Sequence, residues 1–198
     1  MKKHLILILL SLLSITILSA DNRQSSFFNI SAGTGTIEQT NNDVALYDKT
    51  SENNNIVIID LGFYGTVSKG TLMGINANIS SNLYDDGFNE VNFYNTLISL
   101  GAIHYLGGNI GSGLYTKVEA GAAIISANQG ELFSDEPIKT DWGYGATVGA
   151  GLAINLNETS LYIEGKYSYR SIENSDMNNF EPGDYVTSVV GISVGLLY

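Results

Sequence analysis

Residues 142–156 read WGYGATVGAGLAINL, and their alternation decides the fold. Every even-numbered position, from Trp142 to Leu156, carries an aromatic or aliphatic side chain, and the odd-numbered positions carry glycine, threonine, alanine or asparagine. An apolar residue at every second position predicts a β-strand with one apolar face and one small, polar face. The run is longer than the usual strand of about five or six residues. It also exceeds the roughly 9–11 residues that a tilted strand needs to cross a bilayer.

The same alternation recurs along the chain after residue 20. It predicts eight strands, at 26–37, 56–68, 71–84, 91–106, 109–126, 142–156, 159–172 and 185–198. No segment in this part of the sequence shows a sustained helical stripe or is apolar enough to cross a membrane as a helix. The sequence therefore predicts an all-β domain.

The predicted connections are alternately long and short. The second, fourth and sixth are only Lys69-Gly70, Gly107-Gly108 and Asn157-Glu158, and every odd-numbered connection is predicted to be longer than every even-numbered one. A barrel that crosses a membrane explains this order, because its two rims face different compartments. We therefore predict an eight-stranded antiparallel up-and-down transmembrane β-barrel over residues 21–198. Its apolar faces turn toward lipid and its small, polar faces turn toward the lumen.

The first twenty residues predict an export signal. Lys2 and Lys3 precede an uncharged apolar run from Leu5 to Leu18, and Ser19-Ala20 ends the segment. This order of basic, apolar and small residues is typical of a cleaved secretory signal peptide, residues 1–20. A membrane anchor is the alternative, but the apolar run is shorter than the roughly 20 residues of a transmembrane helix.

Composition excludes several functions. The chain has no Cys, so it has no disulfide, thiolate metal site or cysteine nucleophile. Its 9 Lys and Arg against 20 Asp and Glu give a net charge of −11, which argues against nucleic acid as a partner. After the signal peptide the single histidine is His104, on an apolar face with no serine and acid placed around it. We therefore predict no catalytic residue, no cofactor, no metal ligand set and no enzyme activity.

The predicted lumen faces carry three acidic and three basic residues. They are Asp60, Glu119, Glu164, Lys117, Lys166 and Arg170. Lys117 lies two positions from Glu119, and Glu164 lies two positions from Lys166, so each pair points into the same lumen. Because a buried charge is tolerated only when it is paired and hydrogen-bonded, we predict a salt-bridge network that fills the barrel and blocks a continuous pore. In the alternative, some of these groups face water inside a wet lumen.

Most of the remaining acidic residues lie in the four long connections, and the densest cluster is Asp85-Asp86-Gly87-Phe88-Asn89-Glu90. Two interpretations stay open. The loops are solvated surface that keeps the chain soluble during export, or they bind divalent cations weakly at a membrane surface rich in lipid phosphate. The cluster matches no complete calcium-loop pattern, which favours the first interpretation.

Two segments carry a resemblance to a known family. FFNISAGTG at 27–35 and VGISVGLLY at 190–198 resemble the first and last strands of the small outer-membrane β-barrels of the OmpA/OmpX type, and the likeness extends over 21–198. The resemblance implies a multi-pass protein of the Gram-negative bacterial outer membrane, surrounded by lipid and lipopolysaccharide. It implies extracellular long loops, with short turns and both termini in the periplasm. It also implies that the assembly machinery reads Val194, Leu196 and Tyr198. Since the sequence ends at Tyr198, we expect no peptidoglycan-binding domain.

The expected function is non-enzymatic. The barrel would contribute to envelope integrity or to surface interaction through its acidic loops. The main alternative is a small porin-like channel for ions or small solutes. A lipid-directed hydrolase needs a nucleophile with a positioned base, which the sequence does not show. A soluble lipocalin-like barrel would bury the apolar face, and the loop order and the terminal aromatic strand count against it.

Overall fold

A computed structural model describes residues 26–42, 44–45, 55–85, 90–129, 138–175 and 181–198. The predicted signal peptide lies outside these residues. Among the residues described, no helix has the length and apolar character needed to cross a membrane.

The described part of the chain folds into strands. They are β1 (Ser26–Asn41), β2 (Val44–Ala45), β3 (Asn55–Ser68), β4 (Thr71–Asp85), β5 (Glu90–Tyr105), β6 (Gly113–Gln129), β7 (Ile138–Lys139), β8 (Gly143–Asn155), β9 (Ser160–Asn174) and β10 (Gly183–Leu197). Eight of these strands are long. The two-residue strands β2 and β7 pair with residues near the C-terminal ends of β1 and β6.

The eight long strands close into a barrel. Each pairs antiparallel with the next long strand in the chain, in the order β10-β9-β8-β6-β5-β4-β3-β1. The last strand then pairs back onto the first, from Asn29↔Leu197 to Asn41↔Tyr185. This confirms the predicted eight-stranded antiparallel up-and-down barrel. We call the end with the β3–β4, β5–β6 and β8–β9 connections the short-turn end, and the opposite end the long-loop end.

The strands extend further toward the long-loop end than the sequence predicted. Glu38, Glu173 and Asp184 were expected in connections, but they lie on β1, β9 and β10. Each is exposed on the outer wall. The acidic surface at this end therefore includes residues of the strands as well as residues of the loops.

The predicted order of connection lengths is wrong at one place. The β5–β6 connection spans 106–112, whereas the β4–β5 connection at the long-loop end spans only 86–89. Gly108, Gly111 and Gly113 have φ of 72°, 76° and 85°, and this left-handed backbone lets the chain turn back under the barrel. Ile110 then packs against buried tyrosines at the short-turn end. The sequence predicted that this strand begins at residue 109, but β6 begins at Gly113. The apolar contact of Ile110 explains the difference, because it holds 109–112 in the connection.

The apolar face of each strand points outward. On β8, Tyr144, Val148 and Ile154 are 65%, 53% and 55% exposed, while Thr147 between them is 1% exposed. The charged residues in the middle of the strands show the opposite placement, since Arg170 and Asp60 are buried. A soluble protein buries its apolar residues and exposes its charges. The wall of this barrel is therefore suited to a hydrocarbon solvent.

Val148→Arg tests this outer wall. Val148 lies near the middle of β8, so in a bilayer the arginine should lower the free energy of unfolding by about 2–4 kcal/mol. The measurement is urea unfolding in lipid vesicles, followed by the mobility of unboiled protein on a gel. Leu156→Arg, just beyond the end of the same strand, is the control and should cost about 0–1 kcal/mol. Equal, small effects at both positions would contradict a lipid-facing wall, because exposed substitutions in water change stability by only about 0.5 kcal/mol.

Candidate functional site

The lumen is filled in three layers. A tyrosine layer at the short-turn end contains Tyr64, Tyr105, Tyr115 and Tyr162, packed with Leu72 and Ile103. A charge layer in the middle contains the six charged residues that the sequence predicted for the lumen: Asp60, Lys117, Glu119, Glu164, Lys166 and Arg170. An aliphatic layer toward the long-loop end contains two clusters. Their buried members are Leu97, Ala123, Ile125, Ile172 and Tyr185 in one, and Ile37, Ile56, Ile58 and Val189 in the other.

Asp60 is held from three sides. Ser31 and Asn78 are its direct partners in register on β1 and β4. Ser31 Oγ donates to one carboxylate oxygen at 2.7 Å, and Asn78 Nδ2 donates to the other at 2.6 Å. The ammonium group of Lys166 reaches Asp60 from β9 and forms an ion pair with it. A carboxylate with this many donors is tolerated in a dry interior.

Lys117 lies between two carboxylates. Its Nζ is 3.0 Å from Glu119 Oε1 and 3.7 Å from Glu164 Oε1, and all three side chains are almost fully buried. Glu119 follows Lys117 by one inward position on β6, as the spacing predicted, and Glu164 comes from β9. The other predicted neighbours do not pair, because Lys166 reaches Asp60 and Glu164 reaches Lys117.

Arg170 takes no part in these ion pairs, although the sequence placed it in the salt-bridge network. Its guanidinium donates to the backbone oxygen of Asn95 at 2.7 Å, to Asn78 Oδ1 and to Ser80 Oγ at 3.4 Å. These partners lie on β5 and β4, and β4 is four strands from β9 in either direction around the barrel. The fully buried Arg170 side chain therefore reaches across the lumen and meets side chains that point inward from the opposite side of the barrel. A long side chain with a planar fork of donors is suited to this span.

Three glycines leave the space that the tyrosine rings occupy next to the charge layer. A Cβ at Gly62 would lie 2.5 Å from Tyr64 Cε2, and one at Gly151 would lie 2.5 Å from the Tyr115 hydroxyl oxygen. A Cβ at Gly195 would lie 2.5 Å from the Tyr162 hydroxyl oxygen. Each ring thus lies against a position that has no side chain.

The seated tyrosines reach the charge layer with their hydroxyl groups. Tyr64 donates to Glu119 Oε1 at 3.1 Å, and Tyr115 donates to Glu164 Oε2 at 3.1 Å. The alternation in the sequence predicts only that small and polar residues face the lumen, and it gives the glycines no further role. The signal that could have shown more is the spacing, since Tyr64 and Tyr115 lie on the lumen face within four positions of a charged residue.

Of the residues proposed as an assembly signal, Val194 and Leu196 lie on β10 and Tyr198 directly follows it. Val194 and Tyr198 are exposed and Leu196 is half-buried. Backbone hydrogen bonds join Tyr198 N to Phe28 O at 2.9 Å and Phe28 N to Tyr198 O at 3.1 Å. Tyr198 is thus paired across the closing seam, and its recognition by assembly machinery stays a prediction.

The structure separates the residues that catalysis would have to bring together. His104 lies on the exposed face, with Nδ1 3.0 Å from Thr71 Oγ1. Ser99 is buried on the lumen side, where its hydroxyl donates to the backbone oxygen of Asn76 at 3.3 Å. The barrel wall lies between the two side chains, so they cannot act as nucleophile and base on one substrate.

The acidic loops are only partly described. Asp86 and Asn89 of the densest cluster lie outside the described residues. Within the described ranges, no three His, Asp or Glu side chains are grouped so that they could hold a metal ion. Asp141 is engaged in loop structure, because Ser175 N and Oγ donate to its Oδ2 at 3.0 and 2.9 Å. These hydrogen bonds lower the pKa of Asp141 below its ordinary value.

Comparison with known proteins places the fold. No protein-family model matches the chain, and no curated protein matches it. Among solved structures, Neisserial surface protein A (NspA) is similar with a TM-score of 0.52 and 11% identity, over 85% of this chain and 95% of that chain. Ail, the attachment invasion locus protein of Yersinia pestis, crystallised with the heparin analogue sucrose octasulfate, has a TM-score of 0.49 and 15% identity, over 87% and 99%. OprG from Pseudomonas aeruginosa has a TM-score of 0.47 and 13% identity, over 89% and 96%.

The chain thus has the fold of a small eight-stranded integral outer-membrane β-barrel. The fold that the resemblance to the OmpA/OmpX type implied is confirmed by this likeness and by the closed strand order. At these identities the likeness concerns the fold alone.

Lys166→Met tests the charge layer. Removing the ammonium leaves Asp60 buried without its counter-charge, so the free energy of unfolding should fall by about 3–5 kcal/mol. The double variant Asp60→Asn with Lys166→Met should recover most of this loss, because no uncompensated charge remains. Lys69→Met, at an exposed turn, is the control and should change stability by about 0.5 kcal/mol or less. A Lys166→Met barrel as stable as the control would contradict the pairing.

Gly151→Ala tests the seating of the tyrosines. The new methyl group would clash with Ile163 O and would lie 2.5 Å from the Tyr115 hydroxyl oxygen. The Tyr115 ring, with its bond to Glu164, and the neighbouring backbone of β9 would have to shift, at a cost of about 1–3 kcal/mol in unfolding. Gly165→Ala is a matched control on the neighbouring strand, because a Cβ at Gly165 would meet no atom within 4 Å. The control should leave the barrel as stable or slightly more stable. Equal behaviour of the two variants in thermal unfolding would refute the role of Gly151.

Proposed function

We propose that the protein is a non-enzymatic integral component of the bacterial outer membrane. In this proposal its lumen is closed, and it contributes to envelope integrity or to surface interaction through acidic extracellular loops. The observation that carries the proposal is the inverted distribution of polarity, with an apolar outer wall around a buried layer of charges.

The outer wall supports insertion in a membrane. Ile98, Val148 and Val190, on three different long strands, are each more than half exposed. An apolar surface of this extent on a soluble monomer would be an aggregation site. In a bilayer the same side chains meet hydrocarbon, and the closed sheet leaves no strand edge without hydrogen bonds.

The contents of the lumen support a closed barrel. Arg170 reaches from β9 to partners on β4 and β5, and the buried side chains of the aliphatic layer also occupy the lumen. A hydrated ion that passed through the lumen would have to displace Arg170 from its three partners and cross apolar surroundings. An eight-stranded barrel is narrow enough for its side chains to fill it.

The acidic long-loop end supports a surface role. Glu38, Glu173 and Asp184 are exposed there, and Trp142 and Tyr144 near the same end are exposed aromatic residues suited to the membrane interface. We propose that this end faces outward and that the short turns and both termini face the periplasm. Outer-membrane lipid and lipopolysaccharide would then surround the wall, and the assembly machinery would read Val194, Leu196 and Tyr198 at the C-terminal end of the chain. Weak divalent cation binding by the acidic loops remains part of the proposal.

A small porin-like channel is the second candidate. It is favoured by buried polar atoms of the lumen that have no hydrogen-bond partner in the described structure, namely Glu119 Oε2, Asn95 Nδ2 and both amide atoms of Asn76. Buried polar atoms are normally satisfied by protein or by ordered water. A continuous column of water would satisfy them and would conduct ions.

Conductance in planar lipid bilayers separates the two candidates. The wild-type barrel should give no steady channels at low protein load, and Arg170→Ala should raise the conductance because it removes the side chain that crosses the lumen. Lys139→Ala, on exposed β7, is the control and should behave as wild type. The gel mobility of unboiled protein verifies that each variant is folded. Steady wild-type channels would overturn the closed lumen and favour the porin-like alternative.

A further inference from the structure

A small cavity lies between the tyrosine layer and the charge layer. Its volume is about 10 Å³, and its polar lining comes from Asn29, Tyr105, Tyr115, Tyr162, Lys117 and Glu164. This is the space of about one water molecule, since a water needs roughly 10–15 Å³. None of the activities discussed above uses this cavity.

Asn29 presents an unpartnered acceptor in the lining. Its Nδ2 donates to the Tyr162 hydroxyl oxygen at 2.6 Å, while its Oδ1 has no hydrogen-bond partner. The residue is only 3% exposed. Leaving a buried amide oxygen unsatisfied is unfavourable, so a hydrogen-bond donor inside the cavity would be bound favourably.

The ion pair on the opposite side of the cavity is too long for a direct hydrogen bond. Lys117 Nζ lies 3.7 Å from Glu164 Oε1, beyond the usual limit of about 3.2 Å. The shorter contact of Lys117, at 3.0 Å, goes to Glu119, which does not line the cavity. Polar groups at such a separation are commonly bridged by water.

We propose that this cavity is a binding site for a single water molecule that accepts a hydrogen bond from Lys117 and donates to Asn29 Oδ1 and to Glu164. The lining selects this ligand by its chemistry. The Lys117 ammonium repels a metal cation, and the Glu164 carboxylate repels an anion. A neutral ligand that both donates and accepts, and that fits about 10 Å³, satisfies every group.

A crystal structure of the full chain in detergent at about 1.5 Å tests the site. The wild type should show a solvent peak within about 2.5–3.2 Å of both Asn29 Oδ1 and Lys117 Nζ. Asn29→Leu has similar volume but no amide oxygen, and the peak should be lost. Asn76→Leu is the matched control, because Asn76 is a buried lumen asparagine outside the cavity, and its variant should keep the peak.

The wild-type crystal alone can overturn the proposal, even if a variant does not fold. A wild-type map without a peak between these atoms refutes the site. A peak that persists unchanged in Asn29→Leu shows that Asn29 does not hold the ligand and also refutes it. Rapid X-ray hydroxyl-radical labelling gives a second readout, because an ordered water should enhance oxidation of the adjacent Ile103 in the wild type and in Asn76→Leu but not in Asn29→Leu.

Discussion

Closing eight strands into a barrel leaves a lumen that only side chains can fill, and the rest of the structure follows from this constraint. Because the outer face is mainly apolar along the middle of the strands, the charged groups there point inward. Inside, each charge requires a partner. The structure meets the requirement with neighbours in register for Asp60, with two carboxylates around Lys117, and with carbonyl and hydroxyl acceptors for Arg170.

The same constraint gives the lumen glycines their role. A tyrosine ring on one strand has no room to lie across a narrow lumen unless a nearby position lacks a side chain. Gly151 and Gly195 provide such positions for Tyr115 and Tyr162, and their rings form the floor beneath the charge layer. Ile110 closes this floor from below, because the β5–β6 connection turns back under the barrel. Packing at the short-turn end and electrostatics in the middle of the lumen are therefore parts of one arrangement.

The strand pattern was predictable, because period-two alternation is local and each long strand carries it in its own residues. The inward direction of Asp60, Lys117 and Arg170 followed from the same alternation. Their partners did not follow, because the choice of Lys166 for Asp60 depends on the positions of β9 and β3 around the closed barrel. The aliphatic layer was also missed, since Leu97, Ile125 and Ile172 lie on faces that are otherwise small or polar. The β5–β6 connection was misjudged because the contact of Ile110 is made with distant residues.

The pairing of Asp60 with Lys166 has a consequence for the order of folding. The two residues are 106 positions apart in the chain. If the strands entered the bilayer one after another, β3 would carry an unpaired carboxylate into hydrocarbon long before β9 arrived, at a cost of several kcal/mol. The charge layer therefore favours a pathway in which the strands gather while Asp60 is still hydrated and lose their water together as the barrel closes.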